Sequence, residues 1–235
     1  MAWKQSRLVM ALVIVVAASS QAPAQSVQQR YGRMAPVDHY LMANRNAEVA
    51  LARSAAPPVI SGRAEVMVLG RHGFEVAFQG TNHFVCLVER SWDAAVGSAK
   101  FWDPEIRGPD CFNRAAAESY LPIVLMKSRL ALAGKSEAQI GEAVEVAFDR
   151  KQLPRIQPGA MSYMMSRQGN LGGSAGPWHP HLMFFVPETM SKSWGANLAG
   201  SPVVAGDDAP DRLTIFMIPV RRWSDGTADF RAGKR

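Results

Sequence analysis

Residues 64–90, AEVMVLGRHGFEVAFQGTNHFVCLVER, decide the fold class of this chain. They contain three apolar runs of strand length, AEVMVLG, GFEVAFQG and NHFVCLVER, separated by the turn sequences RHG and GTN. Short turns between runs rich in β-branched and aromatic residues predict antiparallel hairpins. We therefore expect a β-meander in this part of the chain.

Three further strands are predicted in the last third of the chain, in the runs AMSYMMS, HLMFFVP and LTIFMIPV. Residues 91–113 are rich in Trp, Pro and Gly and predict a long irregular connection. No internal repeat, βαβ rhythm, Rossmann pattern or P-loop pattern is present. The prediction is one α+β domain over residues 37–235: an antiparallel sheet of about six strands, with two to four helices packed on one face.

The helices are predicted from the residues that start and stop them. The first runs from His39 to Ser54, with Asp38 as its N-cap, and Pro57 and Pro58 stop it. Residues 114–133 are helical in composition, and Pro122 must begin or kink a helix there. A capping box begins the last helix, which carries apolar residues at four-residue spacing and ends near Lys151. The box is Ser136 with Gln139, and the spaced residues are Ile140, Val144 and Phe148.

The N-terminus has the pattern of a secretory signal peptide. Lys4 and Arg7 precede an unbroken apolar run from Leu8 to Ala18, and Ala22-Pro23-Ala24 offers small residues for cleavage. Because a membrane-spanning helix needs about 20 apolar residues, this run is too short to span. We expect cleavage after Ala24, a flexible arm over residues 25–36, a periplasmic or secreted location and no stable membrane insertion after cleavage. An uncleaved anchor is the alternative.

Charge and composition exclude one class of partner. The formal net charge is +6, and it becomes +4 without Lys4 and Arg7 because residues 1–24 hold no acidic side chain. The basic residues are scattered, and Arg221-Arg222 is the longest run. Nucleic-acid binding needs clustered basic residues. We therefore expect no nucleic-acid partner, and a small-molecule or protein partner stays open.

The two cysteines, Cys86 and Cys111, are expected to form a disulfide, because an exported chain meets an oxidising compartment. Two separate buried thiols are the alternative. Neither cysteine stands in a basic setting that would activate it as a nucleophile.

The segment PWHPHLMFF contains the candidate metal ligands His179 and His181. Residues i and i+2 of a strand point to the same face, so two imidazoles there could hold one divalent transition metal. A third ligand must then come from elsewhere, and His39, His72 and His83 are the remaining histidines. The alternative is that both histidines make structural hydrogen bonds around Trp178.

A second candidate site is Ser174. Residues 172–176, GGSAG, match the G-x-S-x-G nucleophile elbow. That motif requires a strand, a sharp turn and then a helix, whereas Pro177-Trp178-His179-Pro180 follows here. The setting departs from the motif, and a serine hydrolase at Ser174 is kept as an alternative.

Several stretches are similar to a family of exported bacterial proteins that has no assigned activity. They are GFEVAFQGTNHFVCLVERSW, FWDPEIRGPDCFN, AMSYMMS, WHPHLMFFVP, SWGANLAGSP and PVRRWSDGT, which together span most of the chain after residue 24. The resemblance implies one exported bacterial domain. It also implies that glycine commonly stands where this chain has His83.

The sequence shows no complete catalytic set, so its catalytic residues stay unknown and the protein is not assigned as an enzyme. The favoured hypothesis is a non-catalytic periplasmic, envelope or binding protein. The alternatives are a metal-dependent, hydrolase-like enzyme that uses His179 and His181, and a serine hydrolase at Ser174.

Overall fold

One mixed sheet of eight strands forms the centre of the protein. The computed structural model describes residues 32–172, 178–188 and 190–230, so the predicted signal peptide lies outside the described residues. The strand order across the sheet is β2-β1-β3-β4-β5-β6-β8-β7. The strands are β1 (Glu65–Gly70), β2 (Gly73–Phe78), β3 (Val85–Glu89), β4 (Gly108–Phe112), β5 (Met161–Met164), β6 (His181–Pro187), β7 (Val204–Asp208) and β8 (Leu213–Pro219).

All six predicted strands are present, and the sheet has two more than expected. β4 lies inside the predicted irregular connection and carries the sequence GPDCF, in which Gly, Pro and Asp are all disfavoured in strands. It forms because β3 and β5 pair with it on its two sides. β7 is an edge strand that pairs only with β8.

The expected meander is wrong in its third strand. β1 and β2 form the predicted antiparallel hairpin, but β3 pairs in parallel with β1 on its other side. The connection after β2 crosses the beginning of β1, where the Thr81 amide donates to the Arg63 carbonyl at 2.8 Å. Gly80 allows this crossing, because a Cβ at residue 80 would lie 2.1 Å from the Glu65 amide nitrogen.

The described residues form five helices, and helices cover both faces of the sheet rather than the single face that was predicted. α1 packs on β1, β3 and β4, and its apolar residues meet Val66, Val68 and Val88. α3, α4 and α5 cover the opposite face, where Leu87 and Phe112 point. The helices are α1 (Arg45–Arg53), α2 (Pro58–Ser61), α3 (Arg114–Ser119), α4 (Leu121–Leu132) and α5 (Glu137–Asp149).

The helix termini follow local chemistry. α5 begins with the predicted capping box between Ser136 and Gln139, and Pro122 stands in the first turn of α4. The first helix begins later than predicted, at Arg45, because the Asn44 side chain accepts from the Ala47 amide and caps it. Asp38 lies instead in a short 3-10 helix, Val37–His39.

Cys86 and Cys111 stand directly opposite each other on β3 and β4, on the face that α1 covers. Their Cα atoms are 4.0 Å apart and their sulfur atoms lie at bonding distance, which agrees with the expected disulfide. No helix among the described residues is long and apolar enough to cross a membrane.

Candidate functional site

The two predicted site histidines lie at the amino end of β6. His181 is the first residue of the strand, and it stands between Met164 of β5 and Pro219 of β8. His179 precedes the strand by two residues, on the far side of Pro180. Their positions follow from the predicted strand HLMFFVP, which the structure confirms.

His179 forms a dyad with Asp229. Its Nδ1 lies 2.7 Å from Oδ2 of Asp229, whose side chain is only 2% exposed, whereas the His179 side chain is 35% exposed. Since an ionised carboxylate only accepts, Nδ1 of the neutral imidazole carries the proton and Nε2 carries the lone pair. Within the described part of the chain, Nε2 of His179 has no hydrogen-bond partner.

Asp229 reaches His179 because the C-terminal segment folds back on itself. The Trp223 amide donates to the Thr227 carbonyl at 2.9 Å, and the Asp229 amide donates to the Arg221 carbonyl at 2.9 Å. The sequence indicates this turn through the Asp225-Gly226 pair. It does not indicate Asp229 as a partner of His179, because the two residues are 50 positions apart.

A hydrogen bond to the backbone two residues earlier orients the His181 ring. Its Nδ1 lies 2.8 Å from the His179 carbonyl oxygen, which can only accept, so Nδ1 donates and Nε2 is the basic nitrogen. Its ring lies 5.3 Å from the Trp178 ring. Burial lowers the pKa of His181 below the ordinary histidine value. His181 is therefore neutral near pH 7.

Both imidazoles thus have Nδ1 occupied and Nε2 available, as metal-ligating histidines commonly do. Every His, Cys, Asp and Glu of the chain lies in residues 32–172, 178–188 or 190–230. Within these ranges no group of three such residues is placed to hold a metal ion. His39, His72 and His83 do not complete a site with the pair. The metal at His179 and His181 stays a prediction.

Ser174 lies outside the described residues, which break off between Gly172 and Trp178. The chain is packed tightly on both sides of this gap. A Cβ at residue 169 would lie 2.5 Å from the Trp178 ring, and a Cβ at residue 172 would lie 2.0 Å from Oδ2 of Asp103. Close packing therefore explains glycine at position 169, and close packing together with a φ of +76° explains it at position 172.

A second polar group, which the sequence does not indicate, is buried beneath α4. The register of β3 to β6 places Glu89, Asp110 and Ser162 on the same face of the sheet as His181. Asp110 and Ser162 are fully buried, and Glu89 is half-buried. Among the described residues, Oε1 of Glu89 and Oδ1 of Asp93 lack a hydrogen-bond partner, whereas the Ser162 hydroxyl and the Cys111 amide lie close enough to the Asp110 carboxyl to act on its pKa.

Burial raises the pKa of each of these carboxyl groups, and so do the charges of neighbouring carboxylates. Burial raises the pKa of Asp110 to about 8, although the nearby Ser162 hydroxyl acts in the opposite direction. Burial raises the pKa of Asp93 to about 7. Burial, followed by the charges of Asp110 and Asp93, raises the pKa of Glu89 well above the ordinary value. We call Glu89, Asp93 and Asp110 the carboxyl cluster.

Lys127 of α4 is the cation of this interior. Its Nζ lies 3.0 Å from Oδ2 of Asp211 and donates to the Ala94 carbonyl at 3.0 Å, and both charged side chains are buried. Burial disfavours the charged ammonium, but the charges of Asp211, Asp208 and Asp93 outweigh it and raise the pKa of Lys127. Lys127 is therefore charged, and the charges of Lys127 and Arg90 both lower the pKa of Asp93 in the carboxyl cluster.

Comparisons with known proteins add no relative from which a role could be transferred. No protein-family model, curated protein or solved structure matches this chain. The similarity to an exported bacterial family therefore stays a prediction.

Proposed function

We propose that this protein is an exported hydrolase in which His179 is the general base and Asp229 orients it. The observation that carries this proposal is the 2.7 Å contact between Nδ1 of His179 and the buried carboxylate of Asp229. A base that is oriented by a third group, with its second nitrogen available, is the arrangement that activates hydroxyl nucleophiles.

The chemistry assigned to the dyad is a proton transfer at Nε2 of His179. As the oxygen of a nucleophile bonds to the carbonyl carbon of an ester or amide, its proton passes to Nε2. The protonated imidazole then returns the proton to the departing alcohol or amine, and the C–O or C–N bond breaks. Asp229 stabilises the imidazolium between these steps. The nucleophile is either a water molecule or the Ser174 hydroxyl. With Ser174, the acyl group left on the serine is released when a water molecule gives its proton to Nε2, its oxygen bonds to the acyl carbon, and the proton returns to the serine oxygen.

The export half of the proposal rests on two observations. Residues 1–24 have the charged, apolar and small-residue regions of a signal peptide in the required order. The chain also holds a cysteine pair at bonding distance, and such pairs persist in oxidising compartments. We therefore place the mature protein in the periplasm or the external medium.

A metal-dependent enzyme is the weaker alternative. The hydrogen bonds at Nδ1 of His179 and His181 suit two metal ligands, but the described residues bring no third His, Cys, Asp or Glu to them. If the protein is not an enzyme, the alternative is the non-catalytic binding role predicted from the sequence.

The test is hydrolysis of a panel of chromogenic esters and peptide amides by the purified mature protein. We expect Asp229→Asn and His179→Gln to lower kcat/KM by about 10²–10⁴-fold, the usual contribution of a positioned base. His72→Gln is the matched control, because His72 is an exposed turn histidine. Circular dichroism and Tm must show that the variants remain folded.

The nucleophile is identified on the same preparations with a fluorophosphonate probe. Labelling that Ser174→Ala abolishes assigns the nucleophile to Ser174, and turnover without labelling assigns it to water. Turnover that survives His179→Gln would contradict the proposal. An inactive wild-type protein across the panel would also count against it and would favour the non-catalytic binding role.

A further inference from the structure

A cavity of about 850 Å³ lies at the end of the sheet opposite His179. It opens beside Pro187, which ends β6, Glu188, which follows it, and Arg212, which precedes β8. Since β6 spans seven residues, this cavity is roughly 20 Å from the dyad. Its volume falls in the range of small-molecule sites.

Apolar side chains form one part of the cavity wall, and charged side chains form the rest. The apolar part is provided by the end of α5 and the segment that follows it, together with the residue that ends β6. These wall residues are Phe148, Leu153, Pro154, Ile156 and Pro187. An apolar wall of this extent fits the hydrocarbon body of a ligand.

Lys151, at the rim, occupies a backbone position that favours glycine. Its φ is +57°, and it follows α5 in a Schellman motif: its amide donates to the Phe148 carbonyl at 3.0 Å, and the Gln152 amide donates to the Ala147 carbonyl at 2.8 Å. Glycine is the usual residue at this position because a Cβ is strained there. Local backbone stability therefore does not explain this lysine.

Arg212, in the turn between β7 and β8, is a second cation with a positive φ at this cavity. It is the last residue of the β7–β8 turn, and its φ is +53°. Its guanidinium lies 2.6 Å from Oδ1 of Asp149 and 5.3 Å from the Phe148 ring centre. The described residues contain four non-glycine residues with positive φ, and two of them are cations that line this one cavity. Strained backbone that places functional side chains is typical of binding sites.

The charges around the cavity determine the ligand class. Asp149 pairs with Arg212, and Asp211 pairs with the buried Lys127. Among the described lining residues, Lys151, Arg155 and Glu188 are the charged side chains without an ion pair. The lining charges without an ion pair are therefore two cations and one anion. This balance favours an anionic group on a ligand and disfavours an ammonium group.

We propose that this cavity binds a small carboxylate with an apolar body, such as a medium-chain fatty acid or an aromatic acid. The carboxylate contacts Lys151 and Arg155, and the apolar body lies against Phe148, Leu153 and Ile156. The site is separate from the His179–Asp229 dyad and does not depend on the proposed hydrolase activity.

The experiment is isothermal titration calorimetry of the full chain with decanoate, decylamine and decanol, which share one apolar body and differ in the head group. We expect saturable binding of decanoate at one site and no comparable binding of the other two. No saturable decanoate binding, or binding of decylamine or decanol as tight as that of decanoate, would overturn the proposal.

Lys151→Gly separates a binding role from a structural role. Since glycine relieves the positive φ, we expect Tm to rise by about 2–4 °C while decanoate affinity falls about five-fold. His83→Gly is the matched control, because His83 has φ +62° and does not line the cavity. It should change Tm in the same direction and leave affinity unchanged. Equal affinities of the two variants for decanoate would also overturn the proposal.

Discussion

Helices cover both faces of the sheet, but the buried charged groups on the two faces differ in their hydrogen-bond and ion-pair partners. On the α1 face, Arg90 and Glu48 are both buried, and they pair at 2.8 Å. Arg90 also donates to the carbonyls of Tyr40 and Val88, and Glu48 also accepts from the Leu69 amide. On the opposite face, the carboxyl cluster retains buried oxygens without partners.

This difference separates a stabilising arrangement from a costly one. An unpaired buried acceptor costs roughly 1–3 kcal/mol, whereas a satisfied buried pair resists disruption. The α1 face also carries the cysteine pair and a largely apolar core. We infer that the α1 face supplies stability, and that the opposite face makes stability depend on pH.

The largest expected effect is the pH dependence that Asp110 creates. Its folded pKa of about 8 is above the ordinary value of 3.8, so the native state holds a proton that the unfolded chain has released. The stabilisation from this proton is full below about pH 4 and is lost as pH rises towards pH 8. At about 1.4 kcal/mol per pK unit, the loss is on the order of 5 kcal/mol.

Asp110→Asn tests this expectation, because the amide is neutral at every pH. Urea unfolding of wild type and variant between pH 4 and pH 8.5 should show the variant gaining stability relative to wild type as pH rises. Parallel curves for the two proteins would contradict a protonated Asp110.

The next effect is the disruption of the buried pair on the α1 face. Glu48→Ala leaves the Arg90 guanidinium buried without its carboxylate, and we expect a loss of about 3–5 kcal/mol in the free energy of unfolding. Glu75→Ala is the control, since it breaks the exposed pair with Arg45 and should cost less than about 1 kcal/mol. Similar losses in the two variants would remove the contrast between a buried and an exposed pair.

The smallest of the three effects is the loss of the crosslink. Cys86→Ala/Cys111→Ala opens a loop with a sequence separation of 25 residues, and we expect a loss of about 3–4 kcal/mol. Denaturant unfolding measures it. Reduced wild-type protein should match the variant, and a reductant that leaves wild type unchanged would show that the cysteines do not form a disulfide.

The sequence predicted those features that depend on neighbours along the chain. The capping box at Ser136, the helix start at Pro122 and all six predicted strands are confirmed. β4 was missed because its GPDCF sequence opposes strand formation and only its pairing partners impose it. The sequence predicted only one member of the dyad. His179 is a candidate because of its spacing from His181, whereas Asp229 is brought to it by the C-terminal turn.

The sequence by itself determined the α+β class, the start signals of α4 and α5, which are Pro122 and the capping box at Ser136, and the candidate histidines. These rest on periodicity, caps and turn residues, whose effects extend over a few positions. Only the tertiary structure decided that β3 lies beside β1, that Glu89 and Asp110 meet beneath α4, and that Lys151 and Arg212 line one cavity. Those outcomes depend on which distant segments pair and on what burial does to a charge, and a local pattern contains neither.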